Sequence, residues 1–132
     1  RWRNRGGQRK WYENNTDILQ RYRIERLHMK HEIGKYEWES CKEYFNNSCA
    51  YCGIPYEIHK EVYNQDLHKD HVNPNGSNKI DNCVPACIVC NVRKSNDSLE
   101  DWYNENNPVF NIEKLNKIYD WLEEDHKAFI GI

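Results

Sequence analysis

The sequence predicts an α+β fold in which a short strand and a short helix are held by a four-cysteine metal site, with helical segments on both flanks. Three observations predict it. Cys49-Ala50-Tyr51-Cys52 and Cys87-Ile88-Val89-Cys90 repeat one two-residue cysteine spacing. Residues 66–72 read as a strand that runs into the polar loop Asn73-Pro74-Asn75-Gly76-Ser77-Asn78. The segments outside this centre carry helical rather than alternating apolar spacing. At 132 residues the chain holds one domain, or a small domain with an arm. Hydrophobic residues are 38% and charged residues 30%, so the core is thin and calls for a covalent or metal staple.

The elements follow in order. Residues 1–13 form a basic arm, Arg1, Arg3, Arg5, Arg9 and Lys10 with Gly6-Gly7 between them and Trp2, Trp11 and Tyr12 interleaved. Residues 14–47 form an N-terminal helical segment, capped at Asn15 or Thr16. Ile18, Leu19, Tyr22, Leu27, Ile33, Tyr36 and Tyr44 are its apolar positions, and Gly34 is a break. The centre, residues 48–107, opens with the first cysteine turn. Residues 54–62 are ambiguous, a short hairpin being the reading taken, and the strand and loop follow. After the second cysteine turn, residues 89–95 read as a short helix. Ser98 with Asp101 three positions on makes a capping box for a helix through Asn107, stopped by Pro108. In the last segment, 108–132, Asn111 caps a helix with Ile112, Leu115, Ile118, Tyr119 and Leu122 on one face. No repeats occur.

Charge is unevenly placed. Residues 1–35 hold 10 Lys/Arg and 4 Asp/Glu, a balance of +6, while residues 36–132 hold 9 and 17, a balance of −8, together the net −2. A basic first quarter suits an anionic partner docked at one end, although a solvated helix face gives the same pattern. No stretch approaches the ~20 apolar residues of a membrane span, so a membrane partner is not expected. The chain starts at Arg1 and not Met, as a fragment of a longer protein would. In that case a neighbouring domain or partner protein supplies targeting.

The cysteines admit two chemistries. An even count allows disulfides in a secreted protein, and a single Cys-x-x-Cys allows redox work. Two such turns in one small chain favour Cys49, Cys52, Cys87 and Cys90 around one tetrahedral Zn²⁺. Thiolate zinc implies a reducing compartment, hence a cytoplasmic location. Cys83, between Asn82 and Val84, is expected as a buried free thiol, and Cys41 as a packing residue on a helix.

A second constellation surrounds these turns: Asp70-His71, then Asp81-Asn82, then Asn91 directly after Cys90, with Lys94 one helical turn later. Singly, each piece is weak: an Asp-His pair is more often a packing or surface pair, and an Asn after a cysteine turn can simply cap a helix. Together they are similar to the HNH endonuclease family. The family pattern runs Cys-x-x-Cys, Asp-His-apolar-x-Pro, a Gly/Ser/Asn loop, then Asn-apolar-x-Pro-x-Cys-x-x-Cys-Asn-x-x-Lys. This chain reads Cys49-x-x-Cys52, Asp70-His71-Val72-Asn73-Pro74, Gly76-Ser77-Asn78, and Asn82-Cys83-Val84-Pro85-Ala86-Cys87-x-x-Cys90-Asn91-x-x-Lys94. The likeness spans residues 49 to about 103, with Leu99-Glu100-Asp101-Trp102-Tyr103 resembling the helix that follows. It departs at Asn91, where the third name-giving position is often His, and at Cys83, where Leu or Ile is usual. The resemblance implies a ββα-metal core, a DNA substrate, and products with 5'-phosphate and 3'-hydroxyl ends. It also implies that Asn82 transfers no proton but braces the loop and orients His71.

Phosphodiester hydrolysis needs an activated water, a charge sink, and a proton for the departing 3'-oxygen. The imidazole of His71 suits the first task. Asp70 faces the other side of the strand and Asn91 comes from the helix, so two oxygens can hold Mg²⁺ or Mn²⁺ with sites left for water and phosphate. His68, two residues before Asp70, reads equally as a further ligand or outer partner and as a surface histidine. Lys94 and Arg93 are candidate phosphate contacts, with a solvated helix face as the alternative. Arg1, Arg3, Arg5, Arg9 and Lys10, interleaved with aromatics, suit a DNA backbone. Two rival readings are a zinc-dependent nucleic-acid-binding module without catalysis and a structural zinc domain that contacts proteins. Homing, restriction, phage DNA packaging and defence remain equally open as biological roles.

Overall fold

The computed structural model describes residues 31–131. The basic arm, with Arg1, Arg3, Arg5, Arg9 and Lys10, and the expected helix start near Asn15 and Thr16 lie outside the described residues.

Gly34 stands immediately before a helix, in keeping with the break expected there. Its N–H donates to Glu37 Oε1 at 2.8 Å, and α1 runs from Lys35 to Tyr44. Trp38, Cys41 and Phe45 recur at helical spacing and are buried. The chain leaves α1 through Asn46 and Asn47 at φ 58° and 51°, a left-handed conformation that asparagine tolerates. Ser48 and Pro55 then bridge across the first cysteine turn.

The expected hairpin at 54–62 is instead a helix, α2, Tyr56–Tyr63. Pro55 explains the correction, because its ring fixes φ, here −66°, and its missing N–H costs nothing just ahead of a helix. The buried His59 faces Tyr63 one turn on, with ring centroids 5.0 Å apart.

Strand β1, His68–His71, pairs antiparallel with β2, Cys83–Ala86, in the register His68↔Ala86, Asp70↔Val84, His71↔Cys83. The expected strand at 66–72 is thus trimmed at both ends. Pro85 is tolerated because a two-stranded sheet has only edges, and its carbonyl accepts the Ala50 N–H at 2.8 Å, tying the sheet to the first cysteine turn.

Helix α3, Ile88–Lys94, follows β2 directly and packs on β1. In α4, Leu99–Trp102, Ser98 caps as expected, accepting the Asp101 N–H at 3.1 Å. The helix stops short of Asn107, because the Asn104 and Asn107 side chains donate to the carbonyls of Glu100, Asp101 and Trp102. Asn111 caps α5, Ile112–Glu123, with Oδ1 accepting from Lys114 N at 3.0 Å. Its inner face differs from expectation: Ile112 is 56% exposed, whereas Trp121 is fully buried with its indole N–H on the Cys83 carbonyl at 2.9 Å. A 3-10 turn, Asp125–Phe129, closes the described chain.

One core spans these pieces, with Trp38 and Phe45 of α1, Tyr51, Val84 of β2, and Ile118 and Trp121 of α5 in a single cluster. The mixed helix and small sheet agree with the expected class. Cys41 and Cys83 are buried thiols in this core, pushed far from ionisation by burial, as expected of packing residues.

Candidate active site

The four cysteines of the two turns meet. Gly53 N–H donates to the Cys49 carbonyl at 2.9 Å, and Gly53 itself sits at φ 84°, the left-handed conformation that folds the first turn back. In the second turn Cys87 caps α3, its sulfur accepting the Cys90 N–H at 3.4 Å. All four sulfurs lie within 4.8 Å of one another, and Cys52 and Cys87 Sγ are 3.7 Å apart. Sulfurs at about 2.3 Å from one tetrahedral zinc stand about 3.8 Å apart, so the set fits that ion. It does not fit bonded pairs, and all six cysteines are free thiols. Burial pushes the Cys87 thiol up, and its sulfur neighbours followed by burial do the same to Cys90. Thiols packed this closely cannot all ionise without a cation among them, and a divalent ion reverses that preference.

The strand and helix beside this cluster carry the other predicted residues. Asp70 is buried on the face of β1 toward α3. Its Oδ2 accepts from the Tyr51 hydroxyl at 2.5 Å and lies 3.6 Å from Lys94 Nζ, while Oδ1 takes no hydrogen bond from any described residue. Burial pushes the carboxyl above its ordinary range, with the Lys94 charge and the Tyr51 hydroxyl working against the shift. One oxygen held and one left open suits a carboxylate that serves a hard cation.

His71 points to the other side of the strand. Its Nε2 meets Asn78 Oδ1 at 2.9 Å. An amide oxygen only accepts, so Nε2 carries the proton and Nδ1 holds the lone pair. That Nδ1 is buried and has no hydrogen-bond partner among the described residues. The His31 ring lies over His71 with centroids 4.4 Å apart, and Glu32 N–H donates to the Asn78 carbonyl at 2.8 Å.

Asn82, in the 3-10 turn Ile80–Asn82, uses both ends of its amide. Oδ1 accepts from Asn73 N, and Nδ2 donates to the carbonyls of Asn73 and Ser77, each at 2.9 Å. It thereby closes the loop that carries Asn78. A Cβ at Gly76 would stand 2.8 Å from Asn82 Nδ2, so only glycine fits there.

Asn91 meets a residue of β1: its Nδ2 lies 3.2 Å from His68 Nδ1, and His68 Nε2 pairs with Gln65 Oε1. His68 is buried and is no surface histidine. Lys94 requires a correction too. It lies on neither a solvated face nor a surface open to phosphate, being fully buried, with Nζ donating to the His71 carbonyl at 3.0 Å. The carbonyl and the nearby carboxylate compensate the buried charge. Arg93, the next residue toward the cysteines, is exposed.

Residues 49–97 match the HNH endonuclease family. The resemblance read from the motifs is thereby shown for that segment. A protein of Bacillus subtilis (strain 168), named "SPbeta prophage-derived putative HNH endonuclease YoqL", is 45% identical over 118 residues, 85% of this chain and 51% of that protein. The chain thus spans about half the length of the curated relative it matches. No solved structure matches it.

Around the HNH segment the structure adds residues that the motifs alone did not single out. Tyr51, Gln65 and Asn78 hold predicted residues in place, and His31, from before the segment, covers one. A tyrosine inside a Cys-x-x-Cys turn was a visible oddity. Gln65 gave no local signal at all.

Proposed function

We propose that this chain is a metal-dependent DNA endonuclease in which His71 is the general base. The observation that carries the reading is the orphaned Nδ1 of His71. A buried ring nitrogen without a partner is costly, and its opposite nitrogen is pinned by Asn78 in the tautomer that a proton acceptor needs. In the proposed reaction Nδ1 takes a proton from water as its oxygen bonds to phosphorus. The bond to the 3'-oxygen breaks, solvent protonates that oxygen, and 5'-phosphate and 3'-hydroxyl ends result.

Asp70, through Oδ1, and Asn91 would hold a Mg²⁺ or Mn²⁺ ion, which when bound polarises the phosphate and offsets charge on the leaving oxygen. Lys94 opposes the cost of burying the Asp70 carboxylate, and Asn82 with Asn78 fixes the ring of His71. Because His31 covers His71, turnover requires the 31–32 stretch to shift until water reaches Nδ1. The cysteine cluster takes structural Zn²⁺, completing a ββα-metal core of β1, β2 and α3. Arg93 and the basic arm contact the DNA backbone. Among the described residues no helix is long and apolar enough to cross a membrane, and thiolate zinc favours the cytoplasm. The relative's prophage origin fits a phage or mobile-element setting, and its greater length fits a neighbouring domain that selects the target.

The test is supercoiled plasmid incubated with purified protein and a panel of divalent ions. Wild type should nick it with Mg²⁺ or Mn²⁺, and His71→Ala should lose about 10²–10⁴-fold in rate. The loss should persist at high Mn²⁺, whereas Asp70→Ala should regain part of its rate there. A His71→Ala protein that cuts at the wild-type rate would refute the mechanism and favour a zinc-dependent binding module.

A further inference from the structure

Asn91 is useful to a cation through its amide oxygen only, and the amide of an asparagine has two ends of similar shape. Something must fix which end faces the ion. On β1, His68 stands two residues from Asp70 and therefore on the same face of the strand. On α3, Asn91 stands one turn from Lys94. The two pairs meet across the packed surfaces, Lys94 with Asp70 and Asn91 with His68.

We propose that His68 is a positioning residue that holds the Asn91 amide with its oxygen toward the divalent ion. The contacts form a polar chain with a direction. Gln65 Oε1 accepts the proton on His68 Nε2, which leaves Nδ1 as an acceptor. Nδ1 then accepts from Asn91 Nδ2 at 3.2 Å, and the opposite end of that amide is its oxygen. Running the chain in reverse would require both amides to turn over and would aim an NH₂ group at a cation.

The origin of the chain is itself anchored. His59 is fully buried, with Nε2 accepting the Ile88 N–H at 3.1 Å and Nδ1 on the Gln65 carbonyl at 3.0 Å. Gln65 is thus tied to the first residue of the helix that carries Asn91. With both ring nitrogens engaged, His68 is an outer partner and not a ligand. Such partners typically alter metal affinity by about 10–100-fold.

The inference rests on Asn91 being a ligand, so the test measures binding apart from cleavage. Mn²⁺ would be titrated into zinc-loaded protein and free Mn²⁺ followed by electron paramagnetic resonance, with zinc content and thermal unfolding recorded for every variant. His68→Phe keeps a buried ring without an acceptor and should weaken Mn²⁺ binding about 10-fold or more. His68→Asn, whose oxygen can stand where Nδ1 stood, should restore most of it. In plasmid nicking, His68→Phe should shift the Mn²⁺ concentration for half-maximal rate while the saturated rate changes little. Should His68→Phe fail to fold, Gln65→Leu removes the group that sets the ring's tautomer and should loosen Mn²⁺ in the same direction. Wild-type affinity in a folded His68→Phe, or in Gln65→Leu where His68→Phe does not fold, would overturn the proposal, as would an equal loss in His68→Asn. A wild type with no Mn²⁺ site would overturn the ligand reading itself, recognisable because no variant would then differ from it.

Discussion

The cysteine cluster and the β1–α3 face lie side by side and are built on opposite rules. In the cluster four like groups converge on one another, from turns closed by their own backbone hydrogen bonds, Gly53 N–H to the Cys49 carbonyl and Asn91 N–H to the Cys87 carbonyl. On the strand–helix face, Asp70 and His71 are each held at one end, with no hydrogen bond from a described residue at the other. Asp70 uses Oδ2 and not Oδ1, and His71 uses Nε2 and not Nδ1. Asn82 makes the contrast sharper, since both ends of its amide are occupied and its work is to hold a loop. Buried polar groups in folded proteins are nearly always satisfied, so groups held half-open mark where an outside partner completes the set. A closed set is a staple, and a half-open set is a candidate for chemistry.

The largest effect should come from breaking the staple. Apparent zinc-binding energies of about 10–16 kcal/mol in small zinc domains are as large as the whole stability of a typical domain, about 5–15 kcal/mol. Cys87→Ser should therefore abolish the cooperative fold, read by circular dichroism and zinc content, whereas wild type should hold about one zinc per chain. A folded, zinc-free Cys87→Ser would remove the distinction between the two regions.

A middle-sized effect should come from the one side chain that joins them. Tyr51 sits inside the first cysteine turn and donates to Asp70, and burial together with the Asp70 charge keeps its phenol protonated as a donor. Tyr51→Phe retains the ring and should cost about 1.5–3 kcal/mol, the range for a hydrogen bond to a charged group. Denaturant unfolding of zinc-loaded protein measures it, and unchanged stability would mean that the regions are merely adjacent.

The smallest effect serves as a control outside both regions. Asp66, just before β1, accepts from Lys42 Nζ at 2.9 Å and from the Leu67 N–H at 2.7 Å. Burial opposes its ionisation, but these bonds and the Lys42 charge outweigh burial and hold the carboxyl below its ordinary range. A depressed folded pKa contributes stability above the unfolded value that disappears as pH falls through the folded one. Asp66→Asn should lower stability at pH 7 by less than about 1 kcal/mol, given its exposure, and the gap should close in acid. Mn²⁺ binding should not respond; if it does, the tie between α1 and β1 reaches the half-open face.

What the sequence disclosed was local chemistry. The cysteine turns, the 73–78 loop and the caps at Ser98 and Asn111 each depend on residues a few positions apart, and all are present. Partnerships across the chain were hidden. Tyr51 reaches Asp70 across 19 positions, and His68 reaches Asn91 across 23. The burial of Lys94 is equally hidden, since a lysine is by default a surface residue, and it is the Asp70 carboxylate and His71 carbonyl that make this burial tolerable. In α2 a proline marks the start of a helix where a hairpin is expected, and in α5 the inner face includes Trp121, whose indole donates to a carbonyl, while Ile112 at the helix start is exposed.

The bond from Tyr51 to Asp70 also imposes a reciprocity. Its hydroxyl grips the carboxylate while its backbone belongs to a cysteine turn, and the carbonyl of Tyr51 is fixed by the Tyr103 hydroxyl at 2.6 Å. Any factor by which zinc in the turn tightens the neighbouring site for a second ion must equal the factor by which that ion tightens zinc. The exchange of labelled zinc would then slow when the second ion is added, and a single buried hydroxyl would set how much each site knows of the other.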